Sequence, residues 1–311
     1  MQNKKLGPWL IALSSLLWAS DAPFRKPLLT GGLGAGFIAF LEHLFSTLAS
    51  LPGLIKNLKE FKTLKLKHWL GLVYIGAGAS ALGAIFYVKG AVAMNYNFTI
   101  AALLQKLQPL FAITLAVLFL KEKLSAKFWI WALPALLGAY LTTFGLTNPN
   151  ELWQSASGKL LLGPALALGA ALLWAGGTVV GRALMTNLSL GLVNGSRFLF
   201  GFLFLYGYVL YFEKMQFTLL TPLFWRNIII IALLTGFFAL LIYYQGLKNT
   251  KASVATIMEL GYPLAITLVN WIFLDITLSL VQIIGGLLLL ASITALTYEN
   301  SKIPEQEFSK K

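Results

Sequence analysis

Apolar residues in this chain do not alternate with polar ones; they run on. Uncharged stretches rich in Leu, Ala, Gly and Phe occupy Trp69–Val88, Trp129–Asn150, Leu160–Gly181, Asn227–Leu247 and Ile276–Tyr298. Each reaches the roughly 20 residues that a helix needs to cross a bilayer. Others do so once one or two buried polar residues are admitted. The breaks between runs predict ten helical spans, at 7–27, 34–54, 69–89, 97–120, 128–146, 160–182, 190–212, 226–247, 252–274 and 277–298. Spans of a β-barrel would read instead as alternating segments of about ten residues. The fold class expected is an all-α membrane protein.

The pattern repeats. Leu6–Leu29 aligns with Leu162–Met185, pairing Gly7-Pro8 with Gly163-Pro164 and Trp18-Ala19 with Trp174-Ala175. Pro109–Ser125 aligns in the same way with Pro263–Ser279, and between these blocks Tyr87 and Gly90 match Tyr243 and Gly246. Two halves, 1–150 and 151–311, follow. Five spans is an odd number, so the second half enters the membrane from the opposite face, which makes this an inverted repeat. Lys4-Lys5 before an apolar run could pass for a signal peptide, but the same run recurs in mid-chain.

Composition agrees with lipid as the solvent. Hydrophobic residues make up 58% of the 311 and charged ones 11%, against about 25% charged in soluble domains. The net charge of +13 does not point to nucleic acid, because the lysines sit between apolar runs, where they set topology. With both termini cytoplasmic, 16 of the 24 Lys and Arg fall inside and six outside, with Lys106 and Arg197 within spans. That bias favours cytoplasmic ends; the expected location is a bacterial inner membrane, spanned several times. The absence of cysteine removes disulfides, thiolate chemistry and Cys-based metal sites.

The opening LGPWLIALSSLLWAS, the segment PLFAITLAVLFLKEKLS with its Leu120-Lys121-Glu122-Lys123-Leu124 end, and NGSRFLFG at Asn194–Gly201 resemble the EamA-type drug/metabolite transporter family. The resemblance implies ten helices, two EamA-like repeats, a central substrate cavity and transport of small organic solutes. The chain departs from that family twice. Phe40-Leu41-Glu42-His43-Leu44 stands where an Arg is common, and the usual Leu-Gly-Glu ending reads Leu120-Lys121-Glu122 in one half and Leu274-Asp275-Ile276 in the other.

Ionisable groups inside lipid are costly and mark candidate sites. Gln105 and Glu259 are repeat mates, each four residues before a proline, Pro109 or Pro263. A proline cannot donate to the carbonyl four residues back, so each half is expected to offer a polar side chain and a free carbonyl on its fourth helix. The candidate substrate-binding set is Trp18, Gln105, Lys106, Trp174, Tyr243 and Glu259; a structural ion pair of Lys106 with Glu259 would explain the charges equally well. Glu42, His43 and Arg197 lie on the second helices, with an ion pair of Glu42 and Arg197 across the pseudo-symmetry axis expected. Asp21 and Arg25 are spaced for a salt bridge along one helix. Asp21, Glu42, His43 and Arg197 are the candidates for coupling or gating, with packing as the plainer role for His43. Tyr87, Tyr243, Tyr244 and Gln245 either orient a solute or belong to an interfacial belt.

No HExxH, GxSxG or phosphate loop occurs. An aspartyl membrane protease needs two intramembrane aspartates; beside Asp21 there is only Asp275, at a span end. The expected function is a secondary transporter of a small organic metabolite, such as an amino acid or amine, working by alternating access without a cofactor. Its partners are then a small-molecule solute and the lipid bilayer, and the sequence is compatible with a homodimer. An intramembrane enzyme acting on a lipid-linked substrate is the alternative.

Overall fold

A computed structural model describes residues 6–94, 101, 104–148, 162–265, 268 and 279–301. All regular structure among them is helical: α1 (Leu6–Ala19), α2 (Ala22–Thr30), α3 (Ala35–Lys56), α4 (Leu58–Phe61), α5 (Leu66–Val73), α6 (Gly83–Ala93), α7 (Gln108–Leu120), α8 (Ala126–Phe144), α9 (Leu162–Met185), α10 (Leu190–Phe212), α11 (Pro222–Ile230), α12 (Ala239–Leu247), α13 (Ala252–Met258) and α14 (Leu280–Ser301). Six helical stretches are long and apolar enough to cross a membrane: Ala35–Lys56, Leu66–Gly90, Leu162–Met185, Leu190–Phe212, Pro222–Leu247 and Leu280–Glu299. Gln108–Leu120 is apolar but shorter. Parts of the predicted spans 97–120 and 252–274 lie outside the described residues.

The first predicted span, 7–27, is two helices. Ser20 and Asp21 close α1 with tightened bonds to Leu17 O (3.1 Å) and Trp18 O (3.2 Å), and Pro23 opens α2. Proline supplies no N–H for the carbonyl of Ala19 and is best tolerated in a first turn. The equivalent position in the second half is Val179, and α9 runs unbroken through it.

The third helix of each half carries a wide π-helical stretch, Tyr74–Leu82 between α5 and α6 and Ile231–Phe238 between α11 and α12. Hydropathy gives no sign of either. A π turn displaces carbonyls from the regular ladder, and the hydroxyl of Ser46 on α3 donates to one of them, Ala232 O, at 2.8 Å.

Contacts between the halves exchange with the repeat. A methyl on Gly7 (α1) would sit 3.0 Å from Gly246 O (α12), and one on Gly90 (α6) 3.0 Å from Gly163 O (α9). These four glycines are the ones the sequence alignment pairs. Their lack of a side chain lets backbones touch. The second helices pack on each other antiparallel, with Gly53 against Gly191, His43 against Gly201 and Gly36 against Tyr208. The fifth helices do the same, with Gly138 against Gly285 and Leu289.

Helix starts are capped across the halves. Glu213, after α10, accepts from Gly36 N (3.3 Å) and Phe37 N (3.1 Å) of α3, and Gln216 accepts from Gly34 N (2.7 Å). Glu60, after α3, accepts from Ser189 N (3.0 Å) at the start of α10. Glu122 accepts from Ala252 N (2.7 Å) and Ser253 N (3.1 Å) at the start of α13. Each carboxylate meets the positive end of a helix.

Glu122 is aimed by Lys121, which adopts a left-handed conformation (φ 53°) at the end of α7 and is the one non-glycine residue of positive φ among those described. Glycine is the residue for which this conformation is free of steric cost. Lys121→Gly is therefore expected to raise stability by about 1 kcal/mol, read as a higher apparent melting temperature in detergent. An unchanged or lower value would contradict it.

Candidate functional site

The repeat mates Trp18 and Trp174 each meet a tyrosine from the other half. Trp18 (α1) and Tyr243 (α12) have ring centroids 5.4 Å apart at 48°. Trp174 (α9) and Tyr87 (α6) have them 5.6 Å apart at 46°. Tyr87 and Tyr243 are themselves repeat mates, so one aromatic pair is built twice with one geometry. Both indoles are half-buried. These tyrosines are thereby set in the bundle, not in an interfacial belt.

Beside Trp18 lies a polar centre around Glu259. Its Oε1 accepts from the Tyr243 hydroxyl (2.7 Å) and the Thr178 hydroxyl (3.0 Å), and those two hydroxyls are 3.0 Å from each other. Its Oε2 accepts from Gln108 Nε2 at 2.9 Å. The residue sits in the turn after α13, before Pro263. The carbonyl expected to be free is not: Glu259 O accepts from Tyr262 N at 3.0 Å, because the chain tightens into an i+3 turn before the proline. All donors to the carboxylate are neutral. The ion pair with Lys106, the structural alternative, is not formed. Lys106, in the matching turn before α7, is half-buried and has no hydrogen-bond or ion-pair partner among the described residues. Gln105 lies one turn before Gln108, and it is Gln108 that contacts Glu259.

A second polar centre sits at the α1–α2 break. Arg25 pairs with Asp21 through Nε and Nη2, and Nη2 also reaches Glu42 Oε2 at 2.9 Å. Thr235 Oγ1, in the π-helical stretch, is 3.5 Å from Asp21 Oδ1. The expected bridge of Asp21 and Arg25 is present, and it extends to α3. The expected pair of Glu42 and Arg197 is not formed. The second helices run antiparallel, and Glu42 turns instead to Arg25 of its own half. Arg197 instead donates from Nη1 to the Tyr244 hydroxyl (2.9 Å), its guanidinium carbon 5.9 Å from that ring.

His43 is buried and packed edge-on to Phe198. Its Nδ1 donates to Ala39 O (2.8 Å), and Nε2 contacts Ser80 Oγ (2.9 Å). Both ring nitrogens are thereby engaged within the bundle. Sequence reasoning missed Gln108, Thr178 and Thr235. Only Thr178 left a trace, one helical turn after Trp174 on the same face.

Residues 5–144 and 161–298 each match the EamA-like transporter family. The chain belongs to this family. It is 32% identical over 303 residues to the riboflavin transporter ImpX of Fusobacterium nucleatum subsp. nucleatum, covering 96% of this chain and 100% of that one. It is 24% identical to the uncharacterized transporter sll1164 of Synechocystis sp., covering 98% and 90%. A solved crystal structure shares its fold with a TM-score of 0.74 at 15% identity, covering 94% and 96% of the two chains. Membership of the EamA-like family makes the protein a multi-pass membrane transporter, not an intramembrane enzyme. The Trp–Tyr pairs and the two polar centres are thus features of a transporter's interior.

Proposed function

We propose that this protein is a secondary transporter of ten spans, divided near residue 150 into inverted five-helix halves, that moves a planar aromatic solute of flavin type by alternating access. Both termini face the cytoplasm of a bacterial cell in this reading, as the Lys and Arg distribution favours. The observation that carries it is the doubled Trp–Tyr pair. Two half-buried indoles, each braced by a tyrosine of the opposite half, offer stacking surface on both sides of the pseudo-symmetry axis. A flat heterocycle uses such faces; an amino acid or simple amine leaves them largely unused. The name of the 32% identical relative points the same way.

Coupling is assigned to Glu259. Hydroxyls both donate and accept, so the Tyr243 and Thr178 hydroxyls can serve the carboxylate, or rotate and serve the protonated acid. Asp21 and Glu42 are instead held by a shared guanidinium that only donates. Those two are assigned to holding α2 against α3 when the path on that side is closed.

Purified protein in liposomes loaded with unlabelled riboflavin is expected to take up labelled riboflavin transiently above equilibrium, with saturable kinetics. Folded protein that shows no overshoot would remove the flavin from the reading.

A further inference from the structure

Glu259 and the Asp21–Arg25–Glu42 cluster are hydrogen-bonded, whereas among the described residues Asn194, Ser196, Thr256 and one nitrogen of Arg197 hold buried polar atoms that are not. Asn194, in the first turns of α10, is 1% exposed, and neither its Nδ2 nor its Oδ1 has a partner among the described residues. One helical turn further on, the Nε of Arg197 is buried and unpartnered as well. Buried amides are almost always satisfied, so an amide bare at both ends, one turn from a bare guanidinium N–H, calls for an occupant. Arg197 is joined to the aromatic site by a hydrogen bond and ring contacts. Arg197 holds the Tyr244 hydroxyl, Tyr244 packs on Tyr243 (5.5 Å between centroids), and Tyr243 packs on Trp18.

We infer that Asn194 and Arg197 are the residues that read the solute's polar edge, and that the edge is a cyclic imide. The inference rests on the flavin-type reading above. Asn194 presents a donor and an acceptor, and Arg197 Nε adds a donor. A donor–acceptor–donor set complements a carbonyl, an N–H and a second carbonyl in a row. That is the edge of a pyrimidine-dione ring, the polar end of a flavin, whose other rings are flat and apolar and suit the indoles. A carboxylate or phosphate would answer Arg197 but leave the acceptor Oδ1 facing an oxygen. A primary amine would answer Oδ1 but repel Arg197. In the arrangement described here the amide is closed off from solvent, so the solute meets it when α10 and its neighbours part on that side.

The test uses the full chain in liposomes and two probes, riboflavin and N3-methylriboflavin, in which a methyl replaces the imide hydrogen. Wild-type protein is expected to exchange the methylated probe with a KM at least about tenfold higher, because a site built to pair a buried polar group rejects an analogue that lacks it. Asn194→Leu is expected to raise the riboflavin KM by a similar factor and to bring the ratio of the two KM values close to one. Equal KM values in the wild type overturn the inference without any variant, so misfolding cannot mask it. Asn194→Leu that keeps the full ratio overturns it too, and means that water satisfies the amide. Failure of the wild type to exchange any flavin sinks the flavin reading itself, a result visible before either comparison is made.

Discussion

Arg25→Gln is expected to lower the apparent melting temperature of the detergent-solubilised protein by on the order of 10 °C. The guanidinium is the shared partner of Asp21 and Glu42 at the α1–α2 break. Its removal leaves two carboxylates facing each other across α2 and α3; stripping one partner from a fully buried pair costs about 3–5 kcal/mol, and this half-buried cluster falls at the low end. Charge, not shape, is the cause, and that makes a rescue possible. In Asp21→Asn/Arg25→Gln/Glu42→Gln every group is a neutral near-isostere, so most of the lost stability is expected to return. A triple variant no more stable than Arg25→Gln would mean that the helix break is held by something other than these charges.

Glu259→Gln is expected to separate exchange from accumulation. Glutamine keeps an acceptor for Tyr243 and Thr178 and nearly the same volume, so counterflow is expected to persist within a few-fold of wild type. It cannot gain or lose a proton, so uptake driven by an imposed pH gradient is expected to fall by tenfold or more. Measuring both in the same vesicles is the check. Gradient-driven uptake that survives the substitution would take the coupling role away from Glu259. Loss of counterflow and gradient-driven uptake together would make it a binding residue instead.

Much of this architecture is legible in the sequence because lipid leaves few choices. Continuous apolar runs give the helices, and the span at 190–212 coincides with α10 to the residue. The repeat is legible because the matched residues are the ones geometry constrains: the glycines at the α1–α12 and α9–α6 crossings, and the Trp–Tyr pairs. Partnerships were harder to read. Sequence offsets superpose Glu42 on Arg197, but an inverted repeat sends equivalent positions to opposite sides of the middle. Superposition therefore predicts separation away from the crossing point, and contact only close to it, as for His43 and Phe198. The same rule explains Trp18, which meets the mate of Tyr87 and not Tyr87. The π-helical stretches left no signal, since widening a turn changes neither hydropathy nor period over so few residues.

The crossed helix caps bear on how such a protein can be made. An isolated first half would begin α3 without Glu213 or Gln216, and an isolated second half would begin α10 without Glu60 and α13 without Glu122. Each would leave backbone N–H groups at a helix start without the acceptor that the other half supplies. A gene split at the midpoint should thus yield two fragments that are degraded when expressed alone and persist when expressed together, a mutual dependence that favours keeping both halves on one polypeptide.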